Sequence, residues 1–213
     1  MLIRAQSLWV AETNMYVVAL DSGGPCVLVD APPDLEAISA LVATLDVVPV
    51  ALLATHGHVD HIGGAGGVSA QFGCQAFVHP SDDFLSLHPE EQLRSLFGMI
   101  PDGDYQPPEY VSLTDGESLE LAGIRFDVVH TPGHTPGHCC FFLESEGMLF
   151  SGDQLFAGSI GRTDLPGGSY DELINSMRDR IMVLDDEIMV HPGHGPATTV
   201  GRERRTNPFL RGI

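Results

Sequence analysis

The sequence predicts an α/β fold in which two β-sheets pack face to face with helices outside. Three observations carry that expectation. Short apolar, β-branched runs are interspersed with helical periodicities. The runs form two sets, before and after an irregular middle segment at residues 81–108. Four of them, ending near residues 54, 129, 151 and 190, deliver a histidine or aspartate within a few residues. Facing sheets covered by helices bring such strand ends to one edge. A chain of 213 residues can bury one substantial core, and no long polar linker divides it. It therefore reads as one domain, 1–213, of two similar halves.

Residues 2–9, 15–20 and 26–29 read as successive strands, with Asp21-Ser22-Gly23-Gly24-Pro25 as the turn before the third. Pro32-Pro33-Asp34 opens a helix to Leu45, because Leu35, Ile38, Leu41, Val42 and Leu45 recur at helical spacing. Residues 50–54 are apolar throughout and read as a buried strand, followed by a helix near 64–72 and a short strand at 76–79. Residues 89–97 are helical, with Glu90 and Glu91 in the first turn where the helix dipole favours acid. Residues 98–108, rich in Gly and Pro, read as a surface loop. Strands at 118–121 and 124–129 flank a turn at Gly123, and strands at 139–143 and 148–151 follow. A Gly-rich loop at 157–168 leads to a helix from Tyr170 to about Leu184, then a last strand at 188–190. Residues 198–213 read as a short, polar, arginine-rich tail.

The formal net charge is −19 and all ten basic residues are arginine. Such an acid excess argues against nucleic acid or an anionic membrane as partner, because phosphate surfaces are met by basic patches. Lysine Schiff-base catalysis is excluded as well. Cys26, Cys74, Cys139 and Cys140 lack zinc-type spacing, and the adjacent pair beside Phe141 and Phe142 reads as buried structural thiols. There is no basic-then-apolar leader and no apolar run near ~18 residues, so a cytoplasmic enzyme is expected.

Thr55-His56-Gly57-His58-Val59-Asp60-His61 places three imidazoles and a carboxylate within six residues, directly after a buried strand. Imidazole and carboxylate suit zinc, iron or manganese. With Pro132-Gly133-His134, Ser151-Gly152-Asp153 and Pro192-Gly193-His194, the pattern resembles the metallo-β-lactamase fold superfamily over nearly the whole chain. The resemblance implies a four-layer αββα sandwich of two mixed sheets with metals at the sheet edge. It assigns His56, His58 and His134 to one divalent cation, Asp60, His61 and His194 to a second, and Asp153 to both. Zinc is expected first, with iron and manganese open. A shared carboxylate and hydroxide hold two such ions about 3.5 Å apart and bring the pKa of bound water toward ~7. Any one of these histidines could be a surface or satisfied core residue; seven ligand positions together point to metal. His79 and His88 match no ligand position. His130, His138, His191 and the strand-ending Asp30 are candidates for orienting ligands by hydrogen bonds.

Residues 158–165, Gly-Ser-Ile-Gly-Arg-Thr-Asp-Leu, resemble the substrate-side loop shared by type II glyoxalases (hydroxyacylglutathione hydrolases) and persulfide dioxygenases. Asn207-Pro208-Phe209 resembles a glyoxalase II segment, and Gly195-Pro196 with Thr198-Thr199 is similar to the compact bacterial enzymes of that kind. The resemblance implies a small-molecule substrate: a 2-hydroxyacyl thioester such as S-D-lactoylglutathione, cleaved by a metal-bridging hydroxide that Asp60 helps to orient. Arg162 is the candidate substrate-binding residue, through a carboxylate; its alternative is an exposed loop arginine paired with Asp164. The chain departs from larger type II glyoxalases in its missing substrate lysines, its replaced tyrosine and the 19 residues after His194, so no separate C-terminal helical domain is expected. Two alternatives stay open: a persulfide dioxygenase with one non-haem iron on His56, His134 and Asp153, and a lactonase-like or β-lactam hydrolase. Monomer and dimer are both compatible with the sequence.

Overall fold

The computed structural model describes residues 1–213. β1 (Leu2–Leu8), β2 (Thr13–Ala19), β3 (Pro25–Val29), β4 (Val48–Leu53), β5 (Gln75–Val78) and β6 (Tyr110–Ser112) form a six-stranded sheet in that order. The first three strands are antiparallel and the pairs from β3 to β6 are parallel. Parallel neighbours need crossovers. α1 (Leu35–Leu45) supplies the first, and α2 (Val59–Ile62) with α3 (Ala65–Phe72) the second. α4 (Asp83–Ser86) and α5 (Pro89–Phe97) lie in the third.

The second six-stranded sheet begins with β7 (Ser118–Leu121), β8 (Ile124–His130), β9 (Cys139–Leu143) and β10 (Met148–Gly152). A small hairpin of β11 (Leu155–Phe156) and β12 (Ser159–Ile160) and the helix α6 (Tyr170–Ser176) come next. β13 (Met189–Pro192) and β14 (Thr198–Thr199) complete the sheet, in the order β14-β13-β10-β9-β8-β7, and α7 (Val200–Thr206) follows.

Strand alternation sorts the apolar side chains into three layers, and three layers require four tiers of structure. Tyr16, Val18, Val27, Val29 and Leu53 meet Phe126, Val128, Phe141 and Phe150 between the sheets. Met15, Val17, Leu28 and Leu52 face the other way, against Ile38, Val42 and Val68 of the first helical layer. Cys140, Leu149 and Val190 face Leu173, Met177 and Ile181 of the second. The αββα sandwich expected from the sequence is the result. All four cysteines are buried free thiols.

α1 starts where the Asp34 side chain accepts the Ala37 N–H (3.1 Å), and it stops at Asp46, whose left-handed φ of 53° ends the helical path. Three expectations need correction, and one strand left no mark in the sequence. Residues 110–112 form an edge strand, its alternation too short to stand out. The helix from Tyr170 does not run regularly to Leu184: beyond Ser176 it widens into a π turn over residues 177–181. The Gly-rich loop holds β12. The arginine-rich tail contains α7, whose buried Glu203 draws it onto the protein.

Candidate metal centre

The functional side chains leave the carboxyl ends of β4, β8, β10 and β13, which lie along one edge of the sandwich. His56, His58, Asp60 and His61 follow β4; Asp60 and His61 sit in α2, which starts at Val59. His134 lies beyond β8, Asp153 beyond β10 and His194 beyond β13. The structure brings all seven predicted ligands together.

Three ring nitrogens face one another: His56 Nε2 to His58 Nδ1 at 3.0 Å, His58 Nδ1 to His134 Nε2 at 2.9 Å, and His134 Nε2 to His56 Nε2 at 3.2 Å. Nitrogens about 2.0–2.1 Å from a common ion are this close to one another. A second trio comprises Asp60 Oδ2, His61 Nε2 and His194 Nε2, with separations of 3.3, 3.3 and 3.4 Å. Asp153 spans the two: Oδ1 is 3.5 Å from His61 Nε2, and Oδ2 is 3.5 Å from His134 Nε2 and 3.6 Å from His194 Nε2.

Hydrogen bonds behind three of the rings fix which nitrogen faces inward. His61 Nδ1–H donates to Asp30 Oδ2 (2.8 Å) and His134 Nδ1–H to the Arg162 carbonyl (2.7 Å), turning each Nε2 toward the centre. Thr55 Oγ1 donates to Asp30 (3.0 Å to Oδ2), so it accepts from His56 Nδ1–H at 3.1 Å and frees that Nε2. Asp30 thus orients His61 directly and His56 through Thr55. His138 lies behind Asp153: the Asp153 N–H donates to its Nε2 (3.0 Å), and its Nδ1–H donates to Thr131 Oγ1 (2.9 Å).

A divalent cation fits these donors. Converging lone pairs cannot satisfy one another, and Asp153 Oδ1 is buried with no hydrogen-bond partner. A Cβ at Gly193 would collide with that same oxygen, so the missing side chain keeps the space beside it open. The charges agree. Burial, with neighbouring imidazoles, holds His56 well below the ordinary histidine range, His58 down to about 3 and His134 down to about 4. All three are neutral and ready to ligate. Burial opposes charge on Asp60, but His61 and His194 outweigh it and keep its pKa well below that of a free carboxylate. Burial likewise opposes protonation of His61, yet Asp60, Asp30 and Asp153 raise its pKa. On Asp153 burial prevails and moves the pKa up.

Other predicted residues fall differently. His130 Nε2–H donates to the Pro136 carbonyl (2.8 Å), bracing the loop that carries His134, while its ring stacks on His79. His191 is not brought to the ligands; it packs on Phe150 and Tyr16. His88 faces Glu91 on α5 at 3.6 Å. Arg162 pairs bidentately with Asp164 (2.8 and 2.7 Å), and its side chain borders the cleft above the centre.

Sequence reading missed several supports. Thr13 Oγ1 donates to Asp60 Oδ2 (2.8 Å), and Asn14 and Tyr16 donate to the Pro192 carbonyl, fixing the approach to His194. Asp82, fully buried, accepts from the Gly57 N–H, the Gly137 N–H and Thr135 Oγ1, tying the loop of His56 and His58 to that of His134. Glu203 accepts from the Gly158 N–H, Thr198 Oγ1 and Asn207 Nδ2, and Asn207 Nδ2 also donates to the Ser159 carbonyl. The Asn-Pro-Phe segment is therefore a clasp on the 157–168 loop.

The metallo-β-lactamase superfamily profile matches residues 8–194. The chain is 40% identical to the hydroxyacylglutathione hydrolase GloC of Haemophilus influenzae, over 95% of this chain and 90% of that one. Among solved structures it is similar to BLEG-1 B3 metallo-β-lactamase, with a TM-score of 0.91, 36% identity and coverage of 99% and 100%. TTHA1623 in a di-iron-bound form gives a TM-score of 0.87 at 38% identity, covering 97% of this chain and 100% of that one. With its motifs, ligand geometry and layered sheets in agreement, the chain belongs to the metallo-β-lactamase superfamily.

Proposed function

We propose that the protein is a metal-dependent hydrolase of 2-hydroxyacyl thioesters, with S-D-lactoylglutathione as the reference compound. The observation that carries this reading is the completeness of the second ligand trio, Asp60, His61 and His194, beside the first. A single-iron persulfide dioxygenase looks alike at the same ligand positions but would use only His56, His134 and Asp153, so metal stoichiometry separates the two. The likeness to the GloC hydrolase supports the same choice.

His56, His58 and His134 would hold one divalent cation, Asp60, His61 and His194 the other, and Asp153 would touch both. When bound, such ions supply a nucleophilic water near neutral pH and polarise a carbonyl. Asp60 lines the cleft and stays ionised, so it can accept a hydrogen bond from the attacking water and orient it. Asp30, Thr55 and His138 keep the ligands in register. Attack forms a carbon–oxygen bond; the carbon–sulfur bond then breaks and its electron pair leaves on sulfur. A thiol of pKa near ~8.5 departs without a strong general acid, whereas an amine requires one. Arg162, aligned by Asp164 at the cleft mouth, is the proposed substrate contact on that side.

The test is a panel of thioesters, glutathione persulfide and β-lactams, run beside elemental analysis of the same preparation. Thioester cleavage with two metal equivalents is expected. Oxygen uptake on persulfide with one tightly bound iron and no thioesterase activity would overturn the reading. So would faster turnover of β-lactams, the reaction suggested by the likeness to BLEG-1.

A further inference from the structure

The cleft above the centre shares His58, Gln92, Leu96 and Leu165 with an adjoining hollow, and the two have volumes of about 240 and 250 Å³. Most of the exposed wall surface is apolar, from Trp9, Phe97, Leu96 and Leu165 near the ligands and Phe84 and Pro166 further out, with Gln92 and Ser95 as uncharged polar groups among them. Trp9 and Phe97 meet edge to face at 5.7 Å, closing one side between the β1–β2 turn and α5. Leu96, Phe97 and Phe84 are 56%, 47% and 46% exposed there, a large apolar area to leave in water.

The charges are equally one-sided. Arg162 is the only arginine on the cleft wall, and Asp164 accepts from its Nε–H and Nη2–H, leaving Nη1 as a free donor. The other ionisable wall groups beyond the ligand set are Glu91 and His88. A carboxylate in the outer cleft would meet Glu91, an arginine already paired with Asp164 and a chain of net charge −19. Glutathione carries two carboxylates.

We propose, resting on the thioester reading above, that the thiol carrier of the substrate is an uncharged and largely apolar molecule. The reacting carbonyl is fixed at the ligands and a 2-hydroxyacyl group is short. The carrier is therefore the part long enough to lie between Trp9, Leu96, Phe97 and Leu165. Arg162 then serves it as a hydrogen-bond donor to a neutral oxygen, its charge matched by Asp164. Hydrolysis adds water across the carbon–sulfur bond and releases a 2-hydroxy acid and the neutral thiol.

Two matched pairs of D-lactoyl thioesters test this on the metal-loaded protein. One pair is N-acetylcysteamine against 3-mercaptopropionate; the other is N-acetylglutathione dimethyl ester against glutathione. Each rate is normalised to hydroxide-catalysed hydrolysis of the same compound. The uncharged member of each pair should have a kcat/KM at least about tenfold higher at low ionic strength, mainly through KM, and the gap should narrow in salt. Leu96→Lys should shift the preference within each pair toward the anionic member by about 3–10-fold. Equal or better turnover of the anionic members, or no shift with Leu96→Lys, overturns this proposal and leaves thioester hydrolysis standing. No turnover of any of the four removes the thioester reading, and this proposal with it.

Discussion

Replacing Asp82 by asparagine removes a charge from a buried carboxylate that touches no ligand but joins two ligand loops. Oδ2 accepts from the Gly57 N–H at 2.8 Å and from Thr135 Oγ1 at 2.6 Å, and Oδ1 accepts from the Gly137 N–H at 2.6 Å. An asparagine can set its carbonyl oxygen at one position only. The better placement keeps the first two bonds and turns an NH2 group toward the Gly137 N–H, donor against donor. A lost charge-assisted bond and a buried unpaired donor cost roughly 1.5–3 and 1–3 kcal/mol. Part is returned, because an amide is easier to bury than the carboxylate, whose pKa burial pushes up. A net loss of about 2–3 kcal/mol is expected, which lowers Tm by about 5–10 °C at this chain length. Asp82→Ala leaves all three donors unmet and should lose about 4–5 kcal/mol. Calorimetry and urea unfolding of the metal-loaded protein measure both, and elemental analysis should show weakened metal retention. Asp82→Asn melting within about 2 °C of the parent, with full metal content, would refute the assignment of Asp82 as the tie between the loops.

Asp153→Ala should weaken retention of both metal equivalents and His194→Ala chiefly of one; dialysis against graded chelator followed by elemental analysis distinguishes them, and two ions held firmly by both variants would contradict the shared role of Asp153. Chelator-treated protein should lose stability as pH falls from about 6.5 toward about 4. The sign follows from His58 and His134, held by burial down to about 3 and about 4: the unfolded chain takes up protons first, so their contribution is present above about pH 6.5 and lost below it. The raised His61 and His194 act the opposite way, but His56 and His138 add to the depressed set. A urea midpoint no lower at pH 5 than at pH 7.5 would count against this balance. Asn207→Ala removes the donor shared by Ser159 and Glu203 and should cost about 2–3 kcal/mol. Limited proteolysis should then cut faster within residues 157–168 than elsewhere.

The cluster of seven side chains was legible in the sequence because metal chemistry restricts residue type and because each lies just past an apolar run. The layered fold was legible for a related reason: Val50-Ala51-Leu52-Leu53-Ala54 and Cys139-Cys140-Phe141-Phe142-Leu143 are the residues that strands covered on both faces demand. Asp30 stood out as a carboxylate ending such a strand, and the structure places it against His61. Asp82 gave no such signal. Its partners are two backbone N–H groups and a threonine from segments 25 and more residues away, and a backbone donor leaves no mark in a sequence. Glu203 was hidden among arginines, where local composition reads as solvated although the carboxylate is fully enclosed. The apolar cleft was obscured likewise, because Trp9, Leu96 and Leu165 come from three elements that only the tertiary fold brings together.

Four of the seven converging ligand candidates follow a strand of one sheet and three follow strands of the other. A cation captured there would therefore rivet the two halves across their seam. Above the dissociation constant, each tenfold rise in free metal adds about 1.4 kcal/mol to the folded state. The durability of the metal-loaded protein would then be set in part by the metal supply around it, and a chelator should open the sandwich along that seam before it melts either sheet.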